Sequence, residues 1–147
     1  MTAVATGRSY DAIEVGDVLP ELAISLTRTL IVSTAIATRD FQDVHHDPEL
    51  ARDRGSKDVF MNILTSNGLV GRFVTDWAGP HATLRRVAIR LGAPNYPGDV
   101  MTMTGEVASK SDRQVVVNVR GVNSLGHHAT GTVTVAFPDR TSTGGVA

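Results

Sequence analysis

Four stretches in the second half of the chain alternate apolar and polar residues with a period of two, and this pattern limits the fold more than any other feature. Arg85, Val87, Ile89 and Leu91 alternate with Arg86, Ala88 and Arg90, and Met101, Met103 and Val107 with Thr102, Thr104 and Glu106. Val115, Val117 and Val119 alternate with Asn118 and Arg120, and Val133, Val135 and Phe137 with Thr132 and Thr134. Successive strand side chains point to opposite faces, so each stretch reads as a strand with one apolar face. Gly, Asn and Ser turns join them, which suits an antiparallel sheet. Such a sheet must bury its apolar face. The natural cover is the run 62–77, where Ile63, Val70, Val74 and Trp77 recur at helical spacing beside Leu69 and Phe73, and Gly79-Pro80 ends the run. Gly68 and Gly71 lie inside this helix, each at a cost of about 1 kcal/mol relative to alanine. Close approach of a neighbouring backbone, as when a sheet wraps the helix, would explain both. The expected class is α+β, a long helix lying on a curved antiparallel sheet.

The first half is mixed. Residues 18–30 read as a first strand, and 31–38 as a short helix capped by Ser33 or Thr34. Asp47-Pro48-Glu49 reads as a second helix start, with Asp as cap, Pro in the first turn and Glu at the positive end; Gly55 stops it. The 147 residues suit one domain, placed at 17–137, with a flexible segment 1–16 before it and a flexible tail 138–147 after it.

Composition excludes several functions. Fourteen Lys+Arg against fifteen Asp+Glu give a net charge of -1, which offers no broad electrostatic case for nucleic acid or an anionic membrane. The absence of cysteine excludes a disulfide scaffold, a thiolate nucleophile and a Cys-ligated zinc. No basic segment followed by a long apolar run opens the sequence, and no apolar stretch is long enough to cross a bilayer, so the expected location is cytoplasmic.

The chemistry concentrates in residues 39–48, RDFQDVHHDP, where three carboxylates and two imidazoles fall within ten residues. Asp40 and His45 are five apart across a loop-like spacer, so their side chains can converge. A carboxylate and an imidazole facing each other can hold a water, one taking its proton while the other delivers one to substrate. The alternative from spacing alone is that Asp40 caps a turn and His45 packs beneath a helix. The adjacent His45 and His46 do not make a metal site, because neighbouring side chains diverge and no spaced third ligand follows. Asp43 reads as an exposed loop carboxylate, His46 as a contact to a loop or partner, and His127-His128 as part of a solvated hairpin turn.

This stretch resembles the hydratase motif of the MaoC-like, (R)-specific enoyl-CoA hydratases, Gly-Asp-x-Asn-Pro-(apolar)-His. Asp40, Val44 and His45 occupy the Asp, apolar and His positions, and Asn95-Tyr96-Pro97-Gly98-Asp99 matches the turn before a strand in these proteins. The resemblance covers about residues 30–137. It implies a hot-dog fold, Asp40 and His45 as the catalytic pair, and a backbone N–H at the start of the long helix that polarises a thioester carbonyl. Three positions depart from the motif: Arg39 stands for the usual Gly, Gln42-Asp43 for Asn-Pro, and Met61-Asn62 for His-Gly. The backbone donor then falls to Asn62.

The wording of residues 37–47, 55–58 and 74–80 is similar to an actinobacterial branch of the family, the small subunits of two-subunit steroid enoyl-CoA hydratases in cholesterol side-chain degradation. That resemblance implies a heterotetramer with a larger subunit, which carries a second hot-dog domain and a DUF35-class domain. It also implies a bulky CoA thioester as substrate, coenzyme A being part of the substrate and no separate cofactor being required. Arg85, Arg86, Arg90 and Lys57, with Arg72, are candidates for the CoA phosphates; a solvated strand face is the competing reading of the arginines. Thr65 and Ser66 could face substrate, whereas Phe73 and Trp77 read as core. A hot-dog thioesterase and a non-catalytic scaffold subunit are the competing functions. The scaffold would have no need of both Asp40 and His45.

Overall fold

A computed structural model describes residues 7–138. After a 3-10 turn at Tyr10–Ala12 come β1 (Leu22–Ser25), α1 (Arg28–Ala37), a second 3-10 turn (Asp43–His45), α2 (Pro48–Asp53) and the long α3 (Ile63–Ala78). Four strands follow: β2 (Thr83–Leu91), β3 (Val100–Ser111), β4 (Gln114–Asn123) and β5 (Gly126–Ala136). With β1 they form one five-stranded antiparallel sheet in the order β1-β3-β4-β5-β2, the arrangement expected of strands with one apolar face. Shifts of register at Leu84/Arg86, Val107/Ser109 and Gly121/Val122 mark bulges, which bend strands and raise twist, so the sheet curves around the helix.

The apolar face of the sheet presents Met101, Met103, Val107, Val115, Val117, Val119, Val133 and Val135, all buried, to Val70, Phe73, Val74 and Ala78 of α3. Phe73 closes on the backbone of β3: a Cβ added to Gly105 would lie 3.0 Å from its ring. Gly71 also faces the sheet, its absent Cβ 3.3 Å from Leu84. Gly68 has nothing within 4 Å, so sheet packing does not account for it as expected.

The first half departs from expectation at its elements. The first strand is only Leu22–Ser25, because Pro20 precedes it and Thr27 begins a helix. Thr27, not Ser33 or Thr34, caps α1, its hydroxyl accepting the Leu30 N–H at 3.0 Å. Asp47 caps α2 through the Glu49 and Leu50 N–H groups, with Pro48 in the first turn, as read from sequence.

The segment expected to be flexible is packed over its described part. Ile13 is buried, the Gly16 N–H donates to Val107 O at 2.8 Å, and the Arg8 guanidinium stacks 5.1 Å over Trp77. One apolar anchor and backbone bonds to β3 are enough to hold it. Residues 1–6 and 139–147 lie outside the described residues.

Candidate active site

Asp40 is positioned by the way α1 ends. The Asp40 N–H donates to Ala35 O and the Arg39 N–H to Ile36 O, the paired bonds of a Schellman helix end. The residue between them must turn left-handed, and Arg39 does so at φ 57. That geometry favours glycine, which explains why the family motif places one there; Arg39 keeps the turn at a steric cost.

His45 is positioned by the 3-10 turn and by the strand-like segment that enters α3. Its Nδ1 lies 2.7 Å from Phe60 O, and the Phe60 N–H donates back to Val44 O at 3.2 Å. A carbonyl oxygen only accepts, so Nδ1 carries the proton and Nε2 of the neutral ring is an acceptor. Nε2 points at Asp40, 3.5 Å from Oδ2. The His45 side chain is 8% exposed, whereas the Asp40 side chain keeps 16%. The Phe60 ring meets His45 edge-on at 4.9 Å and Tyr96 at 6.4 Å, which stiffens the imidazole's wall. Two acceptors facing each other at this distance repel unless a proton lies between them. One proton shared by the two groups satisfies the geometry.

Asn62 stands at the N-cap of α3, 1% exposed. Its Oδ1 accepts the Thr65 N–H at 3.0 Å. Its Nδ2 donates to Thr38 Oγ1 at 2.9 Å and to Asp40 Oδ2 at 3.1 Å. Among the described residues no acceptor meets the Asn62 backbone N–H. Behind it, Ser66 Oγ lies 2.8 Å from His128 Nε2, and His128 Nδ1 lies 2.7 Å from Ala93 O. His128 is therefore no solvated turn residue: it is 3% exposed, and burial pushes its pKa below the ordinary 6.5. Ser66 is buried in these local bonds, whereas Thr65 lines the α1–α3 groove, its buried Oγ1 without a hydrogen-bond partner among the described residues.

Thr38 also lines an apolar groove of about 260 Å³ between α1 and α3, with Ala37, Leu64, Gly68 and Leu69. Asp43 is not free: Arg54 pairs with it at 2.7 Å. His46 Nδ1 is buried without a partner among the described residues. There, no group of three or more His, Asp or Glu side chains is arranged to hold a metal ion.

The CoA candidates are scattered. Lys57 lies 5.6 Å over the Tyr96 ring, which connects through Phe60 to His45. Arg85, Arg86 and Arg90 are exposed on β2, with no hydrogen bond or ion pair to Asp40 or His45 among the described residues. Arg72 pairs with Asp76 at 3.1 Å. The Tyr-Pro-Gly-Asp turn has a structural reading: Asp99 accepts from Ser124 Oγ and from the Val100 and Ser124 N–H groups, which hold its carboxyl below the usual range.

Sequence reading singled out Asp40, His45 and the backbone of Asn62, which the structure brings together, and did not single out the Asn62 side chain, Thr38 or the Ser66–His128 pair. Asn62 was findable, since Asn opening a helical run is a favoured cap whose amide is left to bond elsewhere. Nothing local marks His128, whose partners are 35 and 62 residues away in sequence.

No protein-family model matches the chain. Over 125 residues it is 54% identical to the 3-oxo-4,17-pregnadiene-20-carboxyl-CoA hydratase beta subunit of Mycobacterium tuberculosis, covering 85% of this chain and 97% of that subunit. A chain in the crystal structure of the ChsH1–ChsH2 complex of the same organism superposes with a TM-score of 0.83 at 54% identity, covering 85% of this chain and 98% of that one. The (R)-hydratase of A. caviae shares the fold, with a TM-score of 0.76 at 20% identity, over 86% of this chain and 98% of that one. No helix among the described residues is long and apolar enough to cross a membrane. Identity at this level across nearly the whole of a curated subunit, together with the hot-dog sheet and the motif pair meeting at one point, shows that the chain belongs to the MaoC-like hydratases, in the branch of that steroid carboxyl-CoA hydratase beta subunit.

Proposed function

We propose that this chain is the catalytic subunit of an enoyl-CoA hydratase that adds water across the α,β double bond of a steroid side-chain CoA thioester. The observation that carries it is the 3.5 Å approach of Asp40 Oδ2 and His45 Nε2, with Nδ1 already committed to Phe60 O. The two groups share one proton: the member without it accepts a hydrogen from a water held beside the pair, and the member with it donates to that water, whose remaining lone pair is free to attack. As its oxygen bonds to Cβ, one of the pair takes a proton. The π electrons move through Cα to the thioester oxygen, and the enolate is protonated at Cα by the other member. Each such acid or base step is worth about 10²–10⁴-fold. The Asn62 backbone N–H, at the positive end of the 16-residue α3, is the donor placed for the enolate oxygen.

The named relatives support the rest. The pregnadiene carboxyl-CoA substrate of the related subunit suggests a fused-ring acyl group, and the α1–α3 groove offers apolar surface one side chain from Asp40. Lys57 is the CoA candidate linked to the pair through Tyr96 and Phe60, with the β2 arginines and Arg72, which lines the α1–α3 groove, as alternatives. The two-protein complex of the relative supports a second hot-dog subunit, which we infer carries a DUF35-class domain within a heterotetramer. No cofactor besides the substrate's own CoA enters this chemistry.

The test is loss of the enoyl chromophore by the assembled complex carrying Asp40→Asn or His45→Gln. Each is expected to lower kcat at least about 100-fold while the complex still assembles. Near-normal hydration by either variant rejects the pair. Release of free CoA thiol instead of hydration would favour a thioesterase.

A further inference from the structure

Within the hydratase reading just given, Asn62 does more than offer a backbone N–H. Its amide has three hydrogen-bonding capacities on this side of the helix, and the surroundings fix all of them. The Thr65 N–H, an obligatory donor, faces Oδ1 at 3.0 Å, so the other terminal atom must be the nitrogen. One hydrogen of Nδ2 is taken by Thr38 Oγ1, whose own proton reaches Thr34 O at 2.7 Å. The second goes to Asp40 Oδ2, the oxygen that faces His45. The residue is held from behind as well: the Ser66 N–H donates to Asn62 O at 3.2 Å, and the Ser66 hydroxyl, given to His128 Nε2, ties this turn to the buried ring. A glycine at this position has no side chain to do any of this.

We propose that the Asn62 side chain is a positioning residue, one that fixes the Asp40 carboxylate in rotamer and aims its second lone pair at the water shared with His45. The left-handed turn at Arg39 sets where the Asp40 backbone goes but leaves its side chain free to rotate. The other contact to the carboxylate is the Gln42 N–H at 3.5 Å, too long to hold it. The nearby charges do not substitute: Asp43 is engaged by Arg54, and His45 is the partner being aimed at. Asn62 thus joins cap, carboxylate and oxyanion donor in one residue at the head of α3.

The experiment uses the assembled complex with its partner subunit and the steroid enoyl-CoA substrate. Asn62→Ser keeps a helix-capping oxygen and the backbone N–H but is too short to reach Asp40. Asn62→Asp keeps the cap as well and turns a donor into a like charge. The expected result is a fall in kcat of roughly 10- to 100-fold for Ser, the range of a hydrogen bond to a charged group, and a larger fall for Asp. KM stays within about twofold, because the amide touches Asp40 and not the substrate. Unchanged kcat in either variant overturns the proposal, as does a loss confined to KM. Asp40→Asn in the same assay separates the two levels: if it is inactive while Asn62→Ser and Asn62→Asp turn over normally, only the positioning role fails. If Asp40→Asn is active, the hydratase pair itself fails and the proposal goes with it.

Discussion

His128 holds an uncharged imidazole where water does not reach, and its contacts fix which nitrogen is protonated. Nδ1 donates to Ala93 O, so Nε2 accepts the Ser66 hydroxyl. Burial pushes the pKa of the folded group below the ordinary 6.5. In the unfolded chain the same ring takes up a proton as pH falls through about 6.5. The unfolded state therefore binds more protons from there down to the lowered folded value, and stability must fall across that window. Above about pH 7 both states are neutral and the contribution is intact. Urea unfolding between pH 7.5 and 5 should show a steeper acid-side loss for the native chain than for His128→Gln, which is weaker at neutral pH but has no ring to titrate. Parallel slopes would show that the group is not buried neutral. The same residue shows what was legible at this scale. Asp40 and His45 could be read because five residues of local chain bring them together. The Asn62 side chain was legible only as a cap; its bond to Asp40 and the Ser66–His128 bond were not, because those partners arrive through the packing of α1, α3 and β5.

Among the elements, α3 and the four long strands were legible because burial imposes periods of 3.6 and 2 on them over many residues. Helix α1 was not. Its sequence RTLIVSTAIA is rich in β-branched residues, and its start depends on contacts distant in sequence. Arg28 forks onto Asp58 at 2.9 and 2.7 Å, thirty residues away, and that bond, with the Val59 N–H, lowers the Asp58 carboxyl to about 2. The bulges were also silent in the alternation. Glycines need the same distinction between pattern and packing. Gly105 is filled space, with Phe73, Val117 and Leu19 at 3.0 to 3.3 Å from its missing Cβ, so Gly105→Ala should destabilise by roughly 1–3 kcal/mol through overpacking. Gly68 meets nothing within 4 Å, so in the isolated chain Gly68→Ala should gain up to about 1 kcal/mol of helix propensity. Chemical denaturation of the two variants checks both signs, and destabilisation at Gly68 would mean that a contact fills that face.

On the scale of the molecule, the sheet ends in β1 and β2, and β2 is the long edge: nine residues paired to β5 on one side and to no described strand on the other. A long free edge invites another strand. Apolar surface gathers on the same side. Leu84 of β2 packs toward Gly71 of α3, and Leu64 lies seven residues before Gly71, on the same face of that helix; both leucines are about half exposed. Ile63 beside Leu64 is exposed as well, at the helix end that carries Asn62. A partner that pairs with β2 and covers these side chains would also close the open side of the Asp40–His45 site. Burying the remaining exposed half of one leucine contributes about 0.8–1.5 kcal/mol, or roughly 4- to 12-fold in affinity, and a glutamate there adds the cost of burying a charge. Leu64→Glu and Leu84→Glu should therefore each weaken association with the proposed second hot-dog subunit by at least about tenfold, measured by titration calorimetry. The far-ultraviolet circular dichroism of the chain should stay unchanged, because neither side chain belongs to the buried core. Undiminished affinity in both variants would place the partner elsewhere, and the free edge of β2 would then need another cover.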